Sequence, residues 1–249
     1  MKRKNWTREE LMLAINLYCK TPFGQIHQIN PDILRLSQLM ERTPGAIAWK
    51  MANFASIDPS LDRKGASHVG KLDVEIWNEF FDNWEQLVFE SERLLIELDK
   101  ENVVDSERSK DIPDGQEKER IVKTRVNQYF FRQAVLSSYE FKCCITGISV
   151  PELLISSHIV PWATDHKNRL NPRNGLCLNA LHDKAFDQGL ITISKDFSII
   201  VSSVVQKKFP YSPEKKFLLE YNGKEITLPK RFIPDIEFLT YHNDCIFLK

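Results

Sequence analysis

The 249-residue chain contains no apolar run near the roughly 18 residues of a membrane span, and its opening, Met1-Lys2-Arg3-Lys4-Asn5-Trp6, lacks a signal peptide's apolar core. A cytoplasmic protein without a membrane partner is expected. Cysteine is scarce: Cys19, Cys143, Cys144, Cys177 and Cys245 are too few and too scattered for a disulfide framework, which fits a reducing compartment. The chain also lacks internal repeats, low-complexity tracts and an excess of either charge, with 34 Lys+Arg against 34 Asp+Glu. That neutrality is uneven along the chain. Residues 1–71 carry 11 basic against 6 acidic side chains, residues 72–120 carry 6 against 16, and residues 121–249 carry 17 against 12. Two basic lobes flank an acidic middle, and a phosphate backbone requires local positive charge rather than a basic whole.

The first lobe reads as helical. Thr7 with Glu10 three residues on is a capping-box pattern, after which Leu11, Ala14, Ile15 and Tyr18 recur at helical spacing. A second helix is predicted from Pro31-Asp32 through Ile33, Leu36 and Met40, a turn at Glu41-Arg42-Thr43, and a third helix opened by Thr43 and Pro44. Such a helix-turn-helix-like unit either lays its third helix in a DNA major groove, with Arg42 and Lys50 as DNA contacts, or serves as scaffold and partner surface. Trp6 and Trp49 give it a loose similarity to the Myb/SANT bundle.

A longer amphipathic helix is predicted from Asp73 to about Leu98. Residues 99–120 are acidic and poor in apolar groups, which predicts a solvated linker. The expected organisation is therefore α+β, with a helical DNA-recognition domain over 1–98, the linker, and a second domain over 121–249. In that second domain, residues 121–139 read as a helix, Cys143–Gly147 as a strand ending in a turn, and Leu153–His158 as a strand. Asn179 caps a helix from Ala180 to about Gln188 that Gly189 closes, and residues 190–193 and 198–201 form a hairpin.

Asn174 follows His158 by sixteen positions, and His182 follows Asn174 by eight. Hydrolysis of a phosphodiester needs a base for the water and positive charge for the phosphorane. A neutral imidazole suits the first task, and His158, at a strand end, is the candidate base. His182, in the first turn of a helix, is the candidate metal ligand. Asn174 either pins the loop that carries the site or offers its amide oxygen to a metal. Arg169, Arg173 and Lys184 stand nearby in sequence as phosphate contacts, and His27, His68, His166 and His242 fall outside the pattern.

The segment from about Tyr129 to Ser202 resembles the HNH endonuclease family, in the subclass found in restriction-type nucleases. The resemblance rests on Cys-x-Ile-Thr-Gly, Ser-His-Ile-x-Pro-Trp, Asn-Gly-Leu-x-Leu and His-Asp-x-x-Phe-Asp-x-Gly-Leu-Ile. It implies a ββα-metal fold and hydrolysis of double-stranded DNA, with His158 as base, Asn174 as the central Asn and His182 as ligand. It implies one divalent ion, Mg²⁺ first, with Mn²⁺, Ni²⁺ or Zn²⁺ as alternatives, and no small-molecule cofactor. Ser157 stands where many members carry a ligand just before the base. Phe186 stands where many carry a second His, so Asp187 is the nearest substitute and Ser157, His182 and Asp187 form the candidate metal set. With no Cys-x-x-Cys pair, no structural zinc is expected. Since one such site cuts one strand, a homodimer or two successive nicks would give a double-strand break. A non-catalytic DNA-binding regulator with a degenerate HNH fold and a homing-type nuclease are the competing readings.

Overall fold

The computed structural model describes residues 5–59, 61, 69–102, 116–208 and 217–249. Contacts divide the chain into two units, Met1–Gln133 and Ala134–Lys249.

The first unit contains α1 (Arg8–Lys20), α2 (Pro31–Leu39), α3 (Pro44–Phe54), α4 (Lys71–Asp82), α5 (Trp84–Asn102) and the first part of α6 (Gln116–Ser138). Each early helix starts where a side chain can satisfy its unpaired N–H groups. The Thr7 hydroxyl accepts from the Glu10 N–H at 3.2 Å, and the Glu10 carboxylate accepts from the Thr7 N–H at 2.9 Å. Asn30 caps α2 and Thr43 caps α3, each with Pro at the first helical position. Between those helices Glu41 takes φ 51°, the left-handed conformation that reverses the chain. Ile33, Leu36, Ile47, Met51 and Phe54 turn inward with Leu11, Ile15 and Tyr18 of α1.

The single helix expected over Asp73–Leu98 is two. Asn83 leaves the helical region at φ −141°, ψ 61°. The break lets Trp84 meet Phe80 and Phe81 edge-on, with centroids 5.5 and 4.5 Å apart. Trp84 also reaches Phe130 of α6 at 5.8 Å, so the start of α6 groups with the helical unit. The division by contacts falls between Gln133 and Ala134. Helix α5 runs on to Asn102 and α6 begins at Gln116, while residues 103–115 of the expected linker lie outside the described residues.

The second unit is mixed. Strands β1 (Leu154–His158) and β2 (Gly175–Asn179) pair antiparallel with His158 opposite Gly175, and α7 (Ala180–Asp187) follows directly. Asn179 Oδ1 accepts the Leu181 and His182 N–H groups and so starts α7. Gly189, at φ 66°, ends the turn after it. Strands β3 (Ile191–Ile193) and β4 (Ile199–Val201) form the second two-stranded sheet, followed by α8 (Ser203–Lys208) and the C-terminal helix α9 (Ile236–Cys245). Leu154, Leu176, Leu178, Phe186, Ile193, Phe232 and Leu239 are buried in this unit. Cys143–Gly147 is a turn and not the expected strand. The Gly147 N–H closes on the Cys143 carbonyl at 2.8 Å, and the Cys144 N–H makes one bond to Cys177 of β2, which is too little to extend a ladder. No helix among the described residues is long and apolar enough to cross a membrane.

Candidate functional site

A cleft of about 330 Å³ in the second unit is lined by Ser157, His158, Trp162, Asp183, Asp187 and His242, among others. The β1–β2 pairing builds its floor. After His158 the chain leaves the sheet for a long excursion and returns at Gly175, and Asn174 closes that loop. Its side-chain oxygen accepts the Val160 N–H at 2.8 Å, and its amide donates to the Val160 carbonyl at 3.1 Å and the Asn168 carbonyl at 3.4 Å. At 0% exposure, with both ends of its amide engaged, Asn174 is an organiser of the loop.

His158 is half-buried, with Nε2 2.9 Å from the Arg169 carbonyl. A carbonyl only accepts, so Nε2 carries the proton and Nδ1 is the basic nitrogen. Trp162 meets the imidazole edge-on with centroids 5.4 Å apart, and the Arg169 guanidinium lies 5.0 Å from the Trp162 ring. Burial pushes the His158 pKa below its ordinary value, opposed by the Arg169 carbonyl. The ring is therefore neutral at pH 7, as a base must be.

The structure turns His182 elsewhere. It is 3% exposed and does not line the cleft; its Nδ1 donates to Asn179 Oδ1 at 3.1 Å, and its ring meets Tyr221 edge-on at 5.4 Å. Helical geometry explains the exchange. Asp183 and Asp187 are four residues apart, about 40° round an ideal helix, so both can face β1, whereas His182 lies about 100° from Asp183. Asp183, absent from the sequence-based set, lines the cleft and His182 does not. The signal was present in the four-residue spacing of the two Asp residues within His-Asp-x-x-Phe-Asp.

The donors in the cleft suit a divalent cation. Burial lifts the Asp183 carboxyl above its ordinary pKa, against the Ser157 hydroxyl and Lys184; burial and then the Asp183 charge lift Asp187, against Lys184. Ser157 Oγ makes no hydrogen bond of standard geometry, yet it lies near enough to Asp183 to favour the ionised carboxylate. Two like charges at one cleft are costly alone and favourable around a cation. Among the described residues no group of three or more His, Cys, Asp or Glu side chains is arranged to enclose a metal. A shell of two carboxylates completed by water is one that Mg²⁺ accepts.

The remaining predicted cations divide by environment. Lys184 is exposed on α7, and Arg169 is half-buried beside Trp162. Arg173 is tied to Asp235 at 3.0 Å and to the Ile233 carbonyl at 3.3 Å, which makes it a brace for the start of α9. In the helical unit, Arg42 pairs with Glu10 at 2.7 Å and Lys50 with Asp73 at 2.8 Å. The charged ends in both pairs are at most 11% exposed. Stripping a partner from a buried pair costs about 3–5 kcal/mol, more than a single phosphate contact returns. These two cations tie segments of the helical unit together.

The family model described as HNH endonuclease matches residues 143–194. The chain carries an HNH endonuclease domain. Its matched span holds the turn at Cys143, both strands around the cleft, α7 and β3. HNH nucleases use a divalent metal ion, the chemistry that the Asp183 and Asp187 pair accommodates. A solved structure described as "Modification dependent TagI restriction endonuclease" shares 20% identity at a TM-score of 0.30, over 46% of this chain and 36% of that chain. This chain thus matches little more than a third of that protein's length. No curated protein matches.

Proposed function

We propose that the chain is a metal-dependent DNA endonuclease in which His158 is the general base. The observation that carries this reading is an imidazole whose Nε2 is held by the Arg169 carbonyl at 2.9 Å, lining the same cleft as the carboxylates of Asp183 and Asp187. His158 Nδ1 takes the proton of a water aligned with the scissile phosphorus. Trp162 and the Arg169 carbonyl hold the ring against rotation as the imidazolium forms. Asp183 and Asp187, with the Ser157 hydroxyl beside Asp183, are the residues that would hold the cation. When bound, it supplies positive charge to the phosphorane and the leaving oxygen. Lys184 and Arg169 add charge for the flanking phosphates, and the products are a 5′-phosphate and a 3′-hydroxyl.

In this reading the helical unit over 1–98 holds the duplex through α3, where Trp49 is 62% exposed, and not through Arg42 or Lys50. A homodimer supplies the second cut of a double-strand break. The restriction or phage-defence setting rests on the resemblance of the HNH segment to restriction-type nucleases.

The test is nicking of supercoiled plasmid in Mg²⁺ or Mn²⁺. His158→Ala should lose about 10²–10⁴-fold in rate, the usual contribution of a general base, while still binding DNA. Binding by both proteins with nicking by neither would instead establish the second reading, a DNA-binding protein with a silent HNH fold. That reading is favoured by the lack of a three-ligand cluster among the described residues.

A further inference from the structure

Helix α9 lies beyond the span that the HNH family model matches, yet it supplies His242, and the residue that follows it, Ile246, to the wall of the cleft. His242 is 1% exposed, and its ring stacks on Phe186 with centroids 3.7 Å apart and planes 12° from parallel. Both nitrogens are engaged. Nε2 donates to the Phe186 carbonyl at 3.2 Å, and Nδ1 accepts from the Thr192 hydroxyl at 2.8 Å. The chain leaving α9 grips the same turn again, where the Leu248 N–H donates to the Gly189 carbonyl at 3.0 Å. Asp187 lies between these two holds, at the last residue of α7, where a helix has lost part of its own hydrogen bonding and frays.

We infer that His242 is a positioning residue that holds the last turn of α7 so that the Asp187 carboxylate faces Asp183 across the cation site. It touches neither substrate nor cation; it acts through Phe186, the residue before Asp187. The inference rests on the reading of Asp183 and Asp187 as the cation pair. Groups that orient a metal's ligands from behind typically change metal affinity 10–100-fold when replaced. A histidine that merely filled the core would alter stability and leave affinity alone.

Mn²⁺ binding to the full chain without DNA, measured by calorimetry, separates these roles. Asp187→Asn should abolish most binding. His242→Phe keeps the stacked ring and removes both hydrogen bonds, and it should weaken Mn²⁺ binding at least about 10-fold in protein whose circular dichroism is unchanged. Thr192→Val, which releases the far side of the imidazole, should shift affinity in the same direction by less. If Asp187→Asn weakens binding but His242→Phe does not, the positioning role is overturned and the cation pair stands. If wild type binds no Mn²⁺, or Asp187→Asn binds it as well as wild type, both fall. Should His242→Phe fail to fold, Thr192→Val decides, and unchanged affinity there overturns the inference.

Discussion

His158 shows how little a residue's identity settles without its hydrogen-bond partner. A strand-end histidine usually satisfies a structural need, and here the Arg169 carbonyl does so at one nitrogen while fixing which nitrogen is basic. Its lowered pKa has a kinetic consequence. The neutral form persists below the ordinary imidazole value, so the acid limb of the single-turnover nicking rate should have its midpoint below about pH 6.5. A midpoint at or above that value would mean that another group sets the limb. Burial likewise decides the fate of Arg42 and Lys50, whose pairing with Glu10 and Asp73 makes their replacement a change in stability before any change in salt-dependent binding.

At the scale of elements, α7 governs the site. Its start is set by Asn179, its facing by the four-residue step between Asp183 and Asp187, and its end by Gly189 with α9 packed against it. Gly189 combines φ 66° with close approach of the Ile246 carbonyl, into which a Cβ would run. Gly189→Ala should therefore lower stability by about 1–3 kcal/mol, from left-handed strain and overpacking together, read as a drop in the urea midpoint. Unfolding indistinguishable from wild type would show that the α9 contact yields freely. The end of α7 is legible in the sequence because a glycine marks it, whereas the break between α4 and α5 at Asn83 is not, because packing of Trp84 on the distant Phe130 accompanies it.

Across the whole molecule, three histidines, His158, His182 and His242, share a pKa pushed down chiefly by burial. For a group whose folded pKa lies below its unfolded value of about 6.5, the unfolded chain binds more protons between the two values. Stability is then complete above about pH 6.5 and is lost as pH falls. His242, lowered to about 4, contributes about 3 kcal/mol of that loss by itself. Asp183 and Asp187 act with the opposite sign, because their raised values favour the fold at lower pH, but only in the window just above their ordinary 3.8. The urea midpoint should fall between pH 7.5 and pH 5, and a constant midpoint would contradict the burial of these rings.

The sequence by itself determined what depends on neighbours within a few residues. That covers the capping box at Thr7, the proline starts of α2 and α3, the strand that ends at His158, the helix that Asn179 opens and the β3–β4 hairpin. Tertiary structure decided which side of α7 faces the cleft, exchanging His182 for Asp183, and it withdrew Arg42, Lys50 and Arg173 into ion pairs. It also brought His242 to a site from which its partner Thr192 is separated by 50 residues. Caps and alternation are local hydrogen-bonding and packing patterns that the order of residues encodes directly. Cleft walls and buried charge pairs are made by segments that meet only once the core has closed, and no spacing along the chain records that meeting.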